Sequence, residues 1–213
     1  LARNTALIAG LTCAGLAGLA MAVLFARFEI GLPAALVYLL AFLGAFCYSA
    51  PPVHLAASGY GELTAALVVS GGVPLFSCLL QTGRLPAPLL VALLPLMLLN
   101  IAMLLAFELP DFAADRAAGK RTLLVRLGPR AGHGLHVALL LAATLALGAG
   151  AAFALPGRVA LAALPMFPLA ALHIGQSVRL RRGASAQWGW FTFTAIALYA
   201  LTAALLTVGF WVA

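Results

Sequence analysis

Seven long apolar stretches are separated by short segments that hold nearly all of the charged side chains. The stretches cover roughly residues 5–25, 32–50, 63–82, 87–107, 133–155, 158–177 and 189–212. They are continuous and rich in Ala and Leu, and each is about twenty residues long, the length at which an α-helix crosses the hydrocarbon core of a bilayer. The pattern predicts an all-α protein, a polytopic transmembrane helical bundle with seven spans.

Composition points to the same class. Hydrophobic residues make up 65% of the chain and charged residues 8%, whereas soluble domains average about 25% charged residues. These values exclude an ordinary water-soluble domain. The sequence therefore predicts that residues 1–213 form one transmembrane domain in contact with the lipid bilayer.

Basic residues are concentrated on one side of the predicted bundle. With seven spans, the N-terminus and the loops 48–62, 108–132 and 178–188 share a side. That side holds nine of the twelve Lys and Arg residues: Arg3, Arg116, Lys120, Arg121, Arg126, Arg130, Arg179, Arg181 and Arg182. Because loops rich in Lys and Arg face the cytoplasm, we predict a multi-pass protein of the cell membrane with cytoplasmic loops on this side. The net charge of +7 then requires no nucleic-acid partner.

Three of the five acidic residues follow the fourth span within eight positions: Glu108, Asp111 and Asp115. Carboxylates at the end of a membrane span are costly unless they pair or bind something. Asp111 and Asp115 are four residues apart and face the same way on a helix. Lys120 and Arg121 follow closely. Because Mg²⁺ prefers one or two carboxylates together with phosphate oxygens, we expect Asp111 and Asp115 to hold Mg²⁺ and, through it, a diphosphate.

Turn residues suggest how this segment folds. Pro110 is suited to restart a helix after Leu109, and Gly119 is suited to close that helix in the left-handed conformation. The sequence thus predicts a short separate helix that carries Asp111 and Asp115. A simpler interpretation is that the acids only balance the bases of a cytoplasmic loop. The order of charges, spaced acids first and bases afterwards, favours a binding site.

The loop between the second and third spans is the other candidate. Pro51 and Pro52 must end the second helix, since neither ring can continue the backbone hydrogen bonds. Glu62 begins the third span, where a negative charge suits a helix N-terminus. The loop is either a connector with a capping glutamate or a segment that folds over a site and contributes Tyr48, His54 and Glu62.

Other polar residues lie within the spans. Asn100 lies eight residues before Glu108 and either lines a cavity or makes a hydrogen bond between helices. His133, His136 and His173 lack the spacing of metal ligands and are predicted to pack inside the bundle.

Two motifs together resemble a known family. The run Asp111-x-x-x-Asp115-x-x-x-Gly119-Lys120-Arg121-Thr122 resembles the second Asp-rich motif of the UbiA superfamily of membrane prenyltransferases. Tyr48-Ser-Ala-Pro-Pro, followed by Gly59-Tyr-Gly-Glu62, is similar to the preceding loop in the branch that prenylates 1,4-dihydroxy-2-naphthoate, the menaquinone branch. The resemblance implies nine helices and Mg²⁺-dependent transfer of a polyprenyl group from its diphosphate to a small aromatic acceptor.

The chain also departs from the family pattern. The family's first motif, N/D-x-x-x-D at the end of its second helix, has no match here, so the seven spans would be the third to ninth helices. The first two helices would then precede Leu1. Family members usually carry bases after the two prolines, where this chain has His54, Ala56 and Ser58. We expect Lys120, Arg121 and Arg116 to compensate.

The resemblance assigns roles to several residues and leaves alternatives open. Lys120 and Arg121 would stabilise the departing diphosphate, and Glu108 would bind a second metal, orient the acceptor or pair with an Arg. The acceptor could instead be another aromatic compound, a porphyrin-type ring or a glycerol lipid. A non-catalytic carrier of prenyl diphosphates is the contrasting class. Prenyl length and oligomeric state stay open.

Overall fold

In a computed structural model of the protein, which describes residues 3–185 and 187–212, every regular element is helical. The helices are α1 (Arg3–Arg27), α2 (Leu32–Ser49), α3 (Gly61–Thr82), α4 (Ala87–Ala117), α5 (Leu123–Leu127), α6 (Pro129–Phe153), α7 (Gly157–Arg181) and α8 (Trp188–Trp211). Within the described residues, all of them except α5 are long and apolar enough to cross a membrane. The predicted all-α bundle with seven spans is confirmed.

Helix α4 differs from the sequence prediction at its C-terminal end. It runs without interruption for 31 residues and includes Pro110, so the prediction of a separate short helix that starts at Pro110 is wrong. A proline ring has a helical φ and removes only one backbone hydrogen bond, and transmembrane helices accept this loss when neighbouring groups satisfy the free carbonyl. Glu108, Asp111 and Asp115 therefore lie on the last turns of a single long helix.

The end of α4 matches the prediction made for Gly119. Gly119 has a φ of +73°. Its N–H donates to the carbonyl of Arg116 at 3.2 Å, and the N–H of Lys120 donates to the carbonyl of Asp115 at 3.0 Å. This pair of bonds is a Schellman motif, in which a left-handed residue satisfies the last helical carbonyls. The motif fixes the direction in which the chain leaves α4.

The core forms around α4, which packs along α6, α8 and the middle of α3. Its centre consists of large and small apolar side chains that are almost completely buried: Leu99, Ala102, Leu105, Leu140, Ala143, Leu147 and Leu198. Alanines at the contacts let the helix backbones approach closely, as is typical of membrane bundles. In contrast, α1 exposes nearly all of its apolar side chains, and Met21 is its buried exception among the described residues.

Three connections lie at one end of the bundle. The N–H of Arg121, after α4, donates to the carbonyl of Ala57, after α2, at 3.0 Å. Near the start of α6, His133 Nε2 donates to the carbonyl of Ser177, near the end of α7, at 2.8 Å. These contacts connect segments at the side of the bundle where the seven-span topology predicted these loops to lie.

Candidate functional site

A polar stripe follows one face of α4 toward the end of the bundle. Its members are Asn100, Glu108, Asp111 and Asp115, and at 3.6 residues per turn they lie within an arc of about 80°. Asn100 is 4% exposed, Glu108 is half-buried and Asp111 is exposed. The stripe therefore leads from the core to the helix end, where Asp111 is exposed and the Asp115 side chain is 13% exposed.

Lys120 folds back over the last of these carboxylates. Its Nζ lies 2.5 Å from Oδ1 of Asp115, an arrangement that the Schellman turn between the two residues makes possible. The hydrogen bond to Asp115, together with the carboxylate charge, raises the pKa of Lys120 above its usual value, so the ammonium stays charged. Within the described residues Asp111 has no such ion pair, which leaves its carboxylate available to a ligand.

The loop after α2 and the segment after α4 lie against each other. The carbonyl of Arg121 accepts a hydrogen bond from Nε of Arg126 at 3.2 Å, and the Arg126 guanidinium lies 5.4 Å from the ring centroid of Tyr60. A Cβ atom on Gly59 would be 2.9 Å from the Arg121 carbonyl oxygen. With the bond to Ala57, these contacts join the loop after α2 to the segment that carries the bases.

Glu62 and Glu108 both bind the start of the same short helix. Oε1 of Glu62 accepts the N–H of Leu123 at 3.0 Å, and Oε2 of Glu108 accepts the N–H of Leu124 at 3.3 Å. Successive amides at the start of α5 are thus satisfied by side chains of α3 and α4. Glu62 does begin α3 as expected, but its carboxylate caps a different helix. Glu108 bonds to the backbone and, within the described residues, makes no salt bridge to an Arg.

The other predicted site residues are placed around this end of the bundle. Tyr48 is half-buried on the last turn of α2, and Arg116 is exposed on the last turn of α4. His54 is exposed and has a left-handed φ of +43°. Asn100 is buried, and its Oδ1 has no donor in the part of the chain that the structure describes. The structure thus brings Glu62, Glu108 and the basic segment into contact.

Three histidines converge in a way that the sequence did not reveal. His133, His136 and His173 are buried, as predicted, and all three pack around the ring of Phe191. His136 Nδ1 donates to the carbonyl of Ala102 at 2.8 Å, which links α6 to α4. The sign of this cluster in the sequence is the i, i+3 spacing of His133 and His136, which places both on one face of a helix. The cluster ties α4, α6, α7 and α8 together near the site.

The acidic side chains of the site meet the needs of one kind of metal ion. Among the described residues, no group of three or more His, Cys, Asp or Glu side chains could hold a metal. Asp111 and Asp115 nevertheless supply two carboxylates on one helix face, which suits Mg²⁺ because this ion completes its octahedron with water and phosphate oxygens. The residues therefore fit a Mg²⁺ ion that is bound jointly with a phosphate-bearing ligand.

These features define a class of protein: an α-helical, multi-span membrane protein whose acids and bases meet at one end. Residues 1–196 match the UbiA prenyltransferase family. The chain therefore belongs to the UbiA prenyltransferase family, whose members bind a prenyl diphosphate and an aromatic acceptor in the membrane. No curated protein and no solved structure matches the chain.

Proposed function

We propose that the protein transfers a polyprenyl group from a polyprenyl diphosphate to 1,4-dihydroxy-2-naphthoate, a step of menaquinone biosynthesis, and that it requires Mg²⁺. The observation that carries the proposal is a pair of carboxylates at the end of the longest helix in a protein of the UbiA family: Asp111, which is exposed, and Asp115, which is paired with Lys120. The similarity of the loop from Tyr48 to Glu62 to the naphthoate branch supports the choice of acceptor.

The chemistry explains why acids and bases occur together. When the allylic carbon–oxygen bond breaks, positive charge develops on the prenyl chain and negative charge on the departing diphosphate. Asp111 and Asp115 would hold Mg²⁺, which supplies positive charge to that leaving group. Lys120 and Arg121 add fixed positive charge at the same place, where stabilisation of developing charge contributes most to the rate. The attacked ring carbon then forms a bond to the prenyl chain and releases the group that it carried, as a proton or, where that carbon bears the carboxylate, as carbon dioxide.

An assay with several acceptors tests the proposal. The protein in lipid nanodiscs is incubated with labelled prenyl diphosphate and Mg²⁺, in separate reactions with the dihydroxynaphthoate, a porphyrin-type acceptor and a glycerol lipid. We expect prenylated naphthoate and released diphosphate. Product with a different acceptor would replace the naphthoate assignment. Tight binding of the diphosphate without product from any acceptor would instead support the carrier.

The location of the site is a separate prediction. With Cys13, Cys47 and Cys78 replaced by Ala, a cysteine at Ala118 is expected to resist a membrane-impermeant maleimide in intact cells and to react after permeabilisation. The reason is the excess of Lys and Arg at this end. A cysteine at Arg84, between α3 and α4 at the opposite end, is the matched control and is expected to react from outside. The reverse labelling would contradict a cytoplasmic site.

A third prediction concerns the loop that lacks the usual bases. His54→Arg is expected to tighten binding of a non-reactive prenyl-diphosphate analogue by about 1–2 kcal/mol, the contribution of one charge-assisted hydrogen bond. Because residue 54 is exposed, the gain should shrink at high salt. Isothermal titration at two salt concentrations measures it. Unchanged or weaker binding would show that residue 54 does not face the diphosphate.

A further inference from the structure

The short helix α5 depends on side chains from outside itself. It contains five residues. Helices of this length are unstable alone, because ordering the first turn costs more free energy than its single hydrogen bond contributes. Its first amides are bound by Glu62 and Glu108, which are 61 and 16 residues away in sequence. The hydroxyl of Thr122 accepts the N–H of Val125 at 3.4 Å. The N-terminus of α5 is therefore held almost entirely by side chains.

This arrangement fixes the chain that carries the bases. Residues 119–122 connect two anchored points: the Schellman turn that ends α4 and the capped start of α5. Between them, the N–H of Arg121 bonds to Ala57. A connection of four residues has little freedom when both of its ends are held. The positions of Lys120 and Arg121 relative to Asp111 and Asp115 are thus set by how α5 is anchored.

We propose that Glu62 and Glu108 are positioning residues: their carboxyl oxygens hold the first turn of α5 and thereby fix the segment that carries Lys120, which is paired with Asp115, and Arg121. What the bases bind there rests on the function proposed above. Glu62 is 3% exposed, and one carboxyl oxygen of each side chain already accepts a backbone N–H. The role assigned to these two oxygens is to hold those N–H groups at a fixed distance.

Two kinds of substitution distinguish the properties that these carboxyl groups bring to the contact. Glutamine has the same length as glutamate, and its amide oxygen accepts a backbone N–H at the same reach without a negative charge. Aspartate keeps the charge but is one methylene shorter. Comparison of the Gln and Asp variants therefore distinguishes an effect of side-chain length from an effect of charge.

Hydrogen exchange of the amides in α5 provides a test that needs no substrate. Glu62→Asp and Glu108→Asp are expected to speed exchange at Leu123 and Leu124 by about tenfold, because each withdraws one acceptor. Glu62→Gln and Glu108→Gln are expected to exchange like the unaltered protein. Mass spectrometry of the protein in nanodiscs measures this at peptides that cover residues 118–128. All four substitutions are small, so the folded protein is retained for comparison.

Kinetics provide the second part of the test. In the Asp variants, KM for the prenyl diphosphate is expected to rise about tenfold with little change in KM for the acceptor, because the displaced bases contact only the diphosphate. The Gln variants are expected to stay within about threefold of the unaltered protein, since loss of a charge near a helix N-terminus has a small effect. Activity lost in the Gln variants would overturn the proposal, because it would show that the negative charge itself is required.

The two parts also separate this proposal from the proposed function. Unchanged exchange in both Asp variants overturns the positioning role even if prenyl transfer is confirmed. Faster exchange in the Asp variants and normal exchange in the Gln variants supports that role even if no prenyl transfer is found, in which case only the assigned reaction fails.

Discussion

Asp111→Asn and Asp115→Asn are each expected to abolish Mg²⁺-dependent prenyl transfer, with a loss of at least about a hundredfold in kcat. Each change removes one of two carboxylates on the exposed end of the polar stripe while it keeps size and hydrogen-bonding capacity. The Mg²⁺ ion that these carboxylates would hold stabilises the departing diphosphate by several kcal/mol in the transition state. A loss of about 1.4 kcal/mol corresponds to a tenfold lower rate. The Asp115→Asn change would also release Lys120 from its ion pair.

The matched control is Glu29→Gln, which removes the acid between α1 and α2, away from the site. It is expected to leave the rate unchanged. Thermal unfolding in detergent should be similar for all three variants, because Asp111 is exposed and Asp115 lies at a helix end. Near-normal turnover in either Asn variant would mean that the acids only balance the charge of their surroundings.

Gly59→Ala is expected to reduce prenyl transfer by about tenfold or more. Gly59 has a φ of +81°, which costs roughly 1–2 kcal/mol for a residue with a Cβ. The added atom would lie 2.5 Å from Nε of Arg126 and 2.9 Å from the carbonyl oxygen of Arg121. The Arg126 side chain can move, but the carbonyl belongs to the backbone of the basic segment. The two loops must therefore separate, and Arg121 moves with them.

Gly83→Ala is the matched control, because it introduces a similar backbone strain without displacing a neighbouring loop. Gly83 also has a left-handed φ, +66°, but a Cβ there would meet nothing within 4 Å. Both variants should lose stability through the left-handed φ, Gly59→Ala more so because its loops must also separate, and only Gly59→Ala should weaken binding of the prenyl-diphosphate analogue. Equal binding in the two variants would show that contact between the loops does not shape the site.

Much of the fold follows from local patterns in the sequence. The apolar runs predict the spans because a bilayer requires a fixed length of apolar helix, and Gly119 ends α4 as its sequence position indicates. Pro110 was predicted to start a new helix, but α4 continues through it. Proline is only a local signal, since its ring has a helical φ and removes only one backbone hydrogen bond.

The contacts that organise the site were less predictable. Glu62 and Leu123 are 61 residues apart, and no periodicity relates them. The sequence singled out Glu62 and Glu108 as candidate site residues, but their observed partners are backbone amides, which every residue except proline possesses. The approach of Gly59 to Arg121 and Arg126 likewise depends on how two loops meet. Such long-range contacts are visible only in three dimensions.

Binding of a non-reactive prenyl-diphosphate analogue, with Mg²⁺ and with the ion removed by EDTA, tests the central claim most directly. The claim is that Asp111 and Asp115 hold the diphosphate through Mg²⁺. We predict that Mg²⁺ tightens binding at least about tenfold in the unaltered protein and has no effect in Asp111→Asn or Asp115→Asn. Equal affinity with and without Mg²⁺ in the unaltered protein would contradict the claim.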